Sequence, residues 1–198
     1  MIALIDYKAG NLTSVRKAFG ALGAQLFTPE RAEELESANA IVVPGVGHFA
    51  ATKTLGPEWI EAILARVGEG RPLLGICLGM QWLYEGSEES PELPGLGLLS
   101  GRCYRLPADN VKIPHVGWNS VDFADQRSIV DGVDNHAQVY FTHSYVAPVT
   151  GDTVAVTTHG QPFASIVQRG HVAGVQFHPE KSGDVGLQVL RNFLSLVV

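Results

Sequence analysis

The sequence predicts an α/β chain: an open, mostly parallel, doubly wound sheet, with antiparallel strands added by the second half. Three observations predict it. Up to residue 84, short apolar runs alternate with stretches of helical periodicity, the pattern of strand–helix–strand units. Beyond residue 100, β-rich runs follow one another across turn signals, and helical spacing returns only near the C-terminus. The composition, 45% apolar and 17% charged over 198 residues, is that of a globular chain able to bury its own core.

Taken in order, Ile2–Ile5 is a short buried strand, followed by the polar turn Asp6 to Asn11. Leu12, Val15, Phe19 and Leu22 then recur at helical spacing, with Asn11 as N-cap and Gly23 as stop. Gln25–Phe27 reads as a strand, Glu30–Glu36 as a short helix, and Ala40–Val43 as a third strand ended by Pro44-Gly45. Ile60, Ile63, Leu64 and Val67 form the apolar stripe of a helix closed by Gly68 and Gly70. Leu73–Ile76 is a fourth strand, and Leu78–Tyr84 reads as helix. The acidic, Pro/Gly-containing stretch from Glu85 to Gly97 reads as a connection. Strands follow at Gly101–Leu106, Val121–Phe123, Val139–Thr142, Thr153–Thr158, Ala164–Val167 and Val172–Phe177. A last helix from about Asp184 carries Leu187, Leu190, Phe193, Leu194 and Val197 inward. On such a sheet the loops after Ile5, Val43 and Ile76 share the carboxyl edge, where ligands bind.

Several classes are excluded. A net charge of −6 lacks the basic footprint of a nucleic-acid binder. No apolar run is long enough for a membrane helix, and the first residues lack a signal-peptide pattern. Two cysteines cannot build a disulfide framework. The expectation is a single domain over residues 1–198, cytoplasmic and away from membranes.

The strongest chemical signal is Gly75-Ile76-Cys77-Leu78-Gly79: a buried strand entering Gly-x-Cys-x-Gly, then a helix. This is the cysteine form of the nucleophile elbow, a sharp strand-to-helix turn that exposes the side chain at its apex. A helix N-terminus beside the sulfur favours thiolate, and the Leu78 N–H can hold an oxyanion. A thiol nucleophile needs a base. Of seven histidines, His178 follows a strand, as Cys77 does, and Glu180 lies two residues on. In an extended segment those two side chains point the same way, so Glu180 can orient His178. Zinc is the competing use of Cys, His and Glu, but no cysteine follows Glu180 and no metal is predicted. Cys103 reads as packing. Val43-Pro44-Gly45-Val46-Gly47-His48-Phe49-Ala50 fits the dinucleotide pattern G-x-G-x-x-G/A loosely, but it follows the third strand rather than the first. Val46 and Gly47 suit a second oxyanion donor better.

Three pieces together resemble the class I, or triad-type, glutamine amidotransferases: Pro44-Gly45-Val46-Gly47, Gly75 to Gln81, and Gln176-Phe177-His178-Pro179-Glu180. The resemblance spans the chain and implies a flavodoxin-like fold. It implies that Cys77 attacks the side-chain amide of glutamine, with His178 as acid and base and Glu180 as orienter. Gly45, Gln81, His143, Ser144 and Tyr145 would then hold glutamine. Four segments, Asp6 to Leu12, Gly45 to Phe49, Pro114 to Asn119 and His178 to Ser182, resemble more narrowly the separate glutaminase subunits of histidine biosynthesis. That likeness implies a heterodimer in which ammonia passes to a cyclase subunit, a (β/α)8 barrel. Asn11, Pro114, His115, Val116, Gly117, Trp118, Asn119 and Lys181 would face it, with Trp118 as the aromatic anchor. No cofactor is implied. The competing readings are the glutaminase of another ammonia-channelling synthase (the pyridoxal phosphate type), a stand-alone hydrolase, and a non-catalytic binding module on the same fold.

Overall fold

The computed structural model describes residues 1–109 and 111–197. The first half runs β1 (Ile2–Leu4), α1 (Leu12–Ala21), β2 (Leu26–Phe27), β3 (Ala40–Val43), α2 (Pro57–Gly68), β4 (Leu73–Ile76) and α3 (Leu78–Trp82). Then come β5 (Gly86–Ser87), β6 (Ser90–Pro94), β7 (Arg102–Arg105), β8 (His115–Ser120), β9 (Asp122–Phe123) and β10 (Gln138–His143). The chain ends with β11 (Tyr145–Val146), β12 (Thr153–His159), β13 (Gln161–Arg169), β14 (Val172–Val175) and α4 (Gly183–Leu194).

Eight strands form the main sheet in the order β2-β1-β3-β4-β14-β13-β12-β9. The first five are parallel, and β14 is where the sheet changes character: it pairs parallel with β4 and antiparallel with β13. This is the predicted mixture. The parallel strands are buried on both faces, which is why they read as continuous apolar runs. Alternate residues feed two cores. Leu4, Val42 and Leu74 pack with Val15 and Phe19 of α1 and with Leu190 and Phe193 of α4; Ala3, Ile41 and Val43 pack with Ile63 and Val67 of α2. Each fully buried Leu, Ile or Phe among these contributes roughly 1.5–3 kcal/mol.

Several expectations are corrected. The segment read as a helix at Glu30–Glu36 is a 3-10 turn over Ala32–Ser37, and a second such turn covers Phe49–Thr54. The helix expected to reach Tyr84 stops at Trp82. The 85–97 connection contains β5 and β6, which join β7 and β11 in a small four-stranded sheet. Pro114 to Asn119, given no element from sequence, is mostly strand: β8 pairs antiparallel with β10 in a separate two-stranded sheet. Among the described residues no helix is long and apolar enough to cross a membrane.

Candidate active site

The geometry begins with two adjacent parallel strands. Val175 of β14 is in register with Ile76 of β4, and the Cys77 N–H donates to the Val175 carbonyl at 2.7 Å. Cys77 and residues 176–178 therefore leave neighbouring strands in the same direction. Cys77 adopts φ 54°, the left-handed region that L-residues avoid. The flanking glycines permit this turn by close approach. A Cβ on Gly75 would lie 2.6 Å from the Gly79 carbonyl oxygen, and one on Gly79 would lie 1.8 Å from that of Val43. The predicted elbow is present, but α3 has only five residues, so its dipole adds little charge at the sulfur.

His178 and Glu180 meet as expected, by a different local route. Pro179–Lys181 is a 3-10 turn rather than extended chain. The turn still carries the Glu180 carboxylate back to the imidazole: Nδ1 lies 2.9 Å from Oε1, with side chains 2% and 3% exposed. The turn is held by its own bonds. The Ser182 hydroxyl donates to the His178 carbonyl at 2.7 Å and accepts the Tyr140 N–H at 3.0 Å. Burial opposes charge on His178. The Cys77 sulfur and the Glu180 carboxylate outweigh it and raise the imidazole to about 10. The ring is thus set to be imidazolium beside the Cys77 sulfur. Its Nε2 is buried without an aligned hydrogen-bond partner, and Glu180 Oε2 is likewise unpaired. Resting catalytic contacts commonly tighten only when ligand arrives.

Beside the sulfur lies a cleft of about 220 Å³ lined by Gly47, Cys77, Leu78, Gln81, Glu89, Pro114, Thr142, His143, Ser144 and Tyr145. Its size suits a small metabolite rather than a polymer. Four of the five predicted substrate contacts line it; Gly45 sits behind the loop and is buried. The cleft sharpens what each can offer. Gln81 Nε2 donates to the Tyr145 carbonyl at 2.8 Å and to Gln176 Oε1 at 3.1 Å, so both amide hydrogens are used and only the carbonyl remains free for a ligand. His143 Nδ1 is 3.1 Å from the Tyr145 carbonyl, and its Nε2 is 3.0 Å from His115 Nδ1. Its ring has no nitrogen to spare, so what the 143–145 segment can offer a ligand lies outside that ring. Burial, and then His115, push His143 down to about 3; burial and His159 push His115 to about 4. Both rings are neutral structural members at pH 7.

Glu89 was missed by sequence reasoning, because it lies in the stretch read as a connection. It accepts the Phe49 N–H on one oxygen at 2.7 Å and, among the described residues, is the only carboxylate lining the cleft. A larger groove of about 620 Å³ lies between α2 and the Ala32–Ser37 turn, but it is lined by five glutamates and no nucleophile.

The predicted oxyanion donors are engaged elsewhere. The Leu78 N–H donates to the Gly45 carbonyl at 3.3 Å, and the Val46 N–H donates to the Ala9 carbonyl at 3.2 Å. One peptide group, between Gly45 and Val46, makes both contacts. Gly47 lines the cleft.

The predicted partner-facing residues divide. Val116 and Trp118, 56% and 57% exposed, share the outer face of β8. Trp118 meets Tyr140 edge to face, with ring centroids 6.1 Å apart, and Lys181 Nζ lies 5.7 Å from the Tyr140 centroid. Asn11 and Pro114 are exposed, and Gly117 is half-buried. Asn11 Oδ1 accepts the Ser14 N–H as the α1 cap. His115 is buried under this face, with Asn119 bonded to its ring. Cys103 is fully buried, as a packing residue would be, and burial pushes its thiol far up. Among the described residues no three His, Cys, Asp or Glu side chains converge as metal ligands.

The profile of the glutamine amidotransferase class-I family matches residues 3–196. The subunit HisH of imidazole glycerol phosphate synthase from Methanothermobacter thermautotrophicus is 41% identical over 198 residues, covering 100% of this chain and 99% of that one. The HisH subunit of Moorella thermoacetica is 46% identical over 200 residues, covering 99% and 95%. A solved structure described as a glutamine amidotransferase superposes with a TM-score of 0.79 at 24% identity, over 100% of this chain and 99% of the other.

Proposed function

The chain belongs to the class I glutamine amidotransferases, and from that premise we propose that it is the glutaminase subunit of imidazole glycerol phosphate synthase. It hydrolyses glutamine to glutamate and ammonia for a cyclase partner in histidine biosynthesis. The observation that carries the reading is the buried His178–Glu180 pair, 2.9 Å apart, beside the strained Cys77 elbow.

The chemistry follows from those residues. The Cys77 thiolate attacks the side-chain amide carbon of glutamine, and the carbonyl becomes an oxyanion. His178, protonated at Nε2, gives that proton to the departing nitrogen, so ammonia leaves and a glutamyl thioester remains. Neutral His178 then takes a proton from water, whose oxygen attacks the thioester. Collapse releases glutamate and restores thiolate and imidazolium. Glu180 keeps Nδ1 protonated throughout. Glu89 suits the α-ammonium of glutamine, and the Gln81 carbonyl and the His143–Tyr145 segment complete the cradle.

The oxyanion needs donors that the resting loop withholds. Rotating the single Gly45–Val46 peptide frees the Leu78 N–H and turns the Val46 N–H inward. The free subunit is therefore slow, and partner binding at the Val116–Trp118 face beside the cleft provides the trigger. The partner is a (β/α)8 barrel in a heterodimer, contacting Asn11, Pro114, Val116, Trp118 and Lys181. It combines ammonia with a phosphoribulosyl imidazole-carboxamide nucleotide to give imidazole glycerol phosphate and aminoimidazole carboxamide ribotide. The chain works as one domain in the cytoplasm, without a cofactor.

Reconstitution tests this. Glutamate release should be weak for the isolated chain, strong with cyclase and nucleotide, and lost in the Cys77→Ala complex. Full activity from the isolated chain, or from Cys77→Ala, would overturn the reading.

A further inference from the structure

We infer that Gln176 is a catalytic residue, whose side-chain amide donates to the Cys77 sulfur and holds it as thiolate. The inference rests on the reading that Cys77 attacks as an anion, but not on which amide it attacks.

Gln176 lies between β14 and His178 and is 0% exposed. Its Nε2 is 3.6 Å from Cys77 Sγ. The direction of that bond is set by the groups behind it. The Tyr145 carbonyl can only accept, so it fixes the Gln81 NH2 toward itself; the second hydrogen of that NH2 goes to Gln176 Oε1 at 3.1 Å. Gln176 therefore has its carbonyl occupied and its NH2 turned to the sulfur.

A buried amide hydrogen is costly unless it finds an acceptor. A neutral thiol is a poor acceptor and a thiolate a strong one, so this contact stabilises the charged form selectively. The need is real at this position. The five-residue α3 offers little dipole, and the other polar contact to the sulfur is the Thr142 carbonyl at 3.9 Å, itself an acceptor. His178 offers its charge but no aligned bond in the resting site, and Gln176 is the donor that reaches the sulfur. The same bond serves when the sulfur departs as thiolate from the second tetrahedral intermediate.

The test is the pH profile of Cys77 alkylation by iodoacetamide in the full-length chain, read by mass across about pH 5 to 10, a range that brackets an unperturbed thiol. Cys103 is 0% exposed and stays silent. The titratable groups facing the sulfur or its cleft are His178 with Glu180 behind it, Tyr7, His143, Tyr145 and Glu89, and all are retained. Gln176→Met, similar in length without the donor, should react about tenfold more slowly near neutral pH, equivalent to about 1.4 kcal/mol. Its profile should move about one pH unit higher and converge with wild type at the alkaline end. Gln176→Glu, which keeps the shape but offers no donor when ionised, should move the same way, and Gln81→Met by less. A purely structural residue would lower the melting temperature and leave the profile in place. Unmoved profiles in folded Gln176→Glu and Gln81→Met overturn the inference even where Gln176→Met fails to fold. Alkylation needs no glutamine, so this outcome stays separate from a failure of the glutaminase reading, which Cys77→Ala reports.

Discussion

Replacing Glu180 by Gln is the sharpest perturbation of the site, because it keeps the shape and removes one charge. The bond at stake spans 2.9 Å between side chains 2% and 3% exposed, so solvent cannot substitute for it. Burial alone would discharge His178; the sulfur and the carboxylate together reverse that. A charge-assisted hydrogen bond contributes about 1.5–3 kcal/mol, and stranding one member of a buried pair costs about 3–5 kcal/mol. Taking about 3 kcal/mol as the share felt when imidazolium donates its proton, kcat should fall roughly 150-fold. The amide can also turn its NH2 toward Nδ1, which selects the wrong tautomer and deepens the loss. The assay is glutamate formation by the reconstituted complex, with kcat and KM measured separately. Because Glu180 does not line the cleft, KM should hold within about twofold while kcat carries the effect. A kcat within about threefold of wild type, in a variant of unchanged melting temperature, would refute the assignment of Glu180 as orienter.

Three further outcomes follow from the geometry. Gly79→Ala places a methyl 1.8 Å from the Val43 carbonyl oxygen, backbone against backbone, and should cost about 3 kcal/mol or more, a melting-temperature drop of roughly 6–12 °C by calorimetry. An unchanged transition would mean that the elbow is looser than described. Trp118→Ala, at a residue 57% exposed, should leave stability within about 0.5 kcal/mol yet weaken partner binding about 30-fold by titration. A change under about threefold removes Trp118 from the interface. Stability should also fall on both sides of near-neutral pH. His178, raised to about 10, contributes stability that is complete below about pH 6.5 and is lost as pH rises through 10. His115 and His143, lowered to about 4 and 3, act in the opposite sense, because the unfolded chain gains their protons as pH drops below about 6.5. Urea unfolding across this range reads both limbs. A His178→Gln chain that keeps the alkaline limb contradicts the first.

The parallel half was legible because its inner strands are buried on both faces, so Ala40–Val43 and Leu73–Ile76 announce themselves as apolar runs. β8 was not, because only one of its faces is covered and its sequence, His-Val-Gly-Trp-Asn-Ser, puts Trp118 in solvent and His115 in the core. That inversion of the usual pattern arises from polar partners: His115 bonds Asn119 on its own strand and His143 on β10. The approach of His178 to Cys77 was readable because each residue follows a buried strand. Glu89 and the bonding of Gln81 and Gln176 were not, since each depends on a partner at least 40 residues distant. The expected contact of Glu180 with His178 is present, through a local geometry other than the extended one. A 3-10 turn closed by Ser182, rather than extended chain, brings the carboxylate back.

The insertion of β14 between β4 and β13 also sets a timetable for the chain's synthesis. When residues 1–76 have left the ribosome, β4 can pair with β3, but its other edge stays open until residues 172–175 arrive. An open parallel edge is a template for unwanted pairing. The Cys77 thiol beside it has no imidazole near it through that whole interval. Only when residues 172–178 emerge does one strand close the edge and bring His178 to Cys77. Closure of the edge and the meeting of thiol and imidazole are thereby the same folding event.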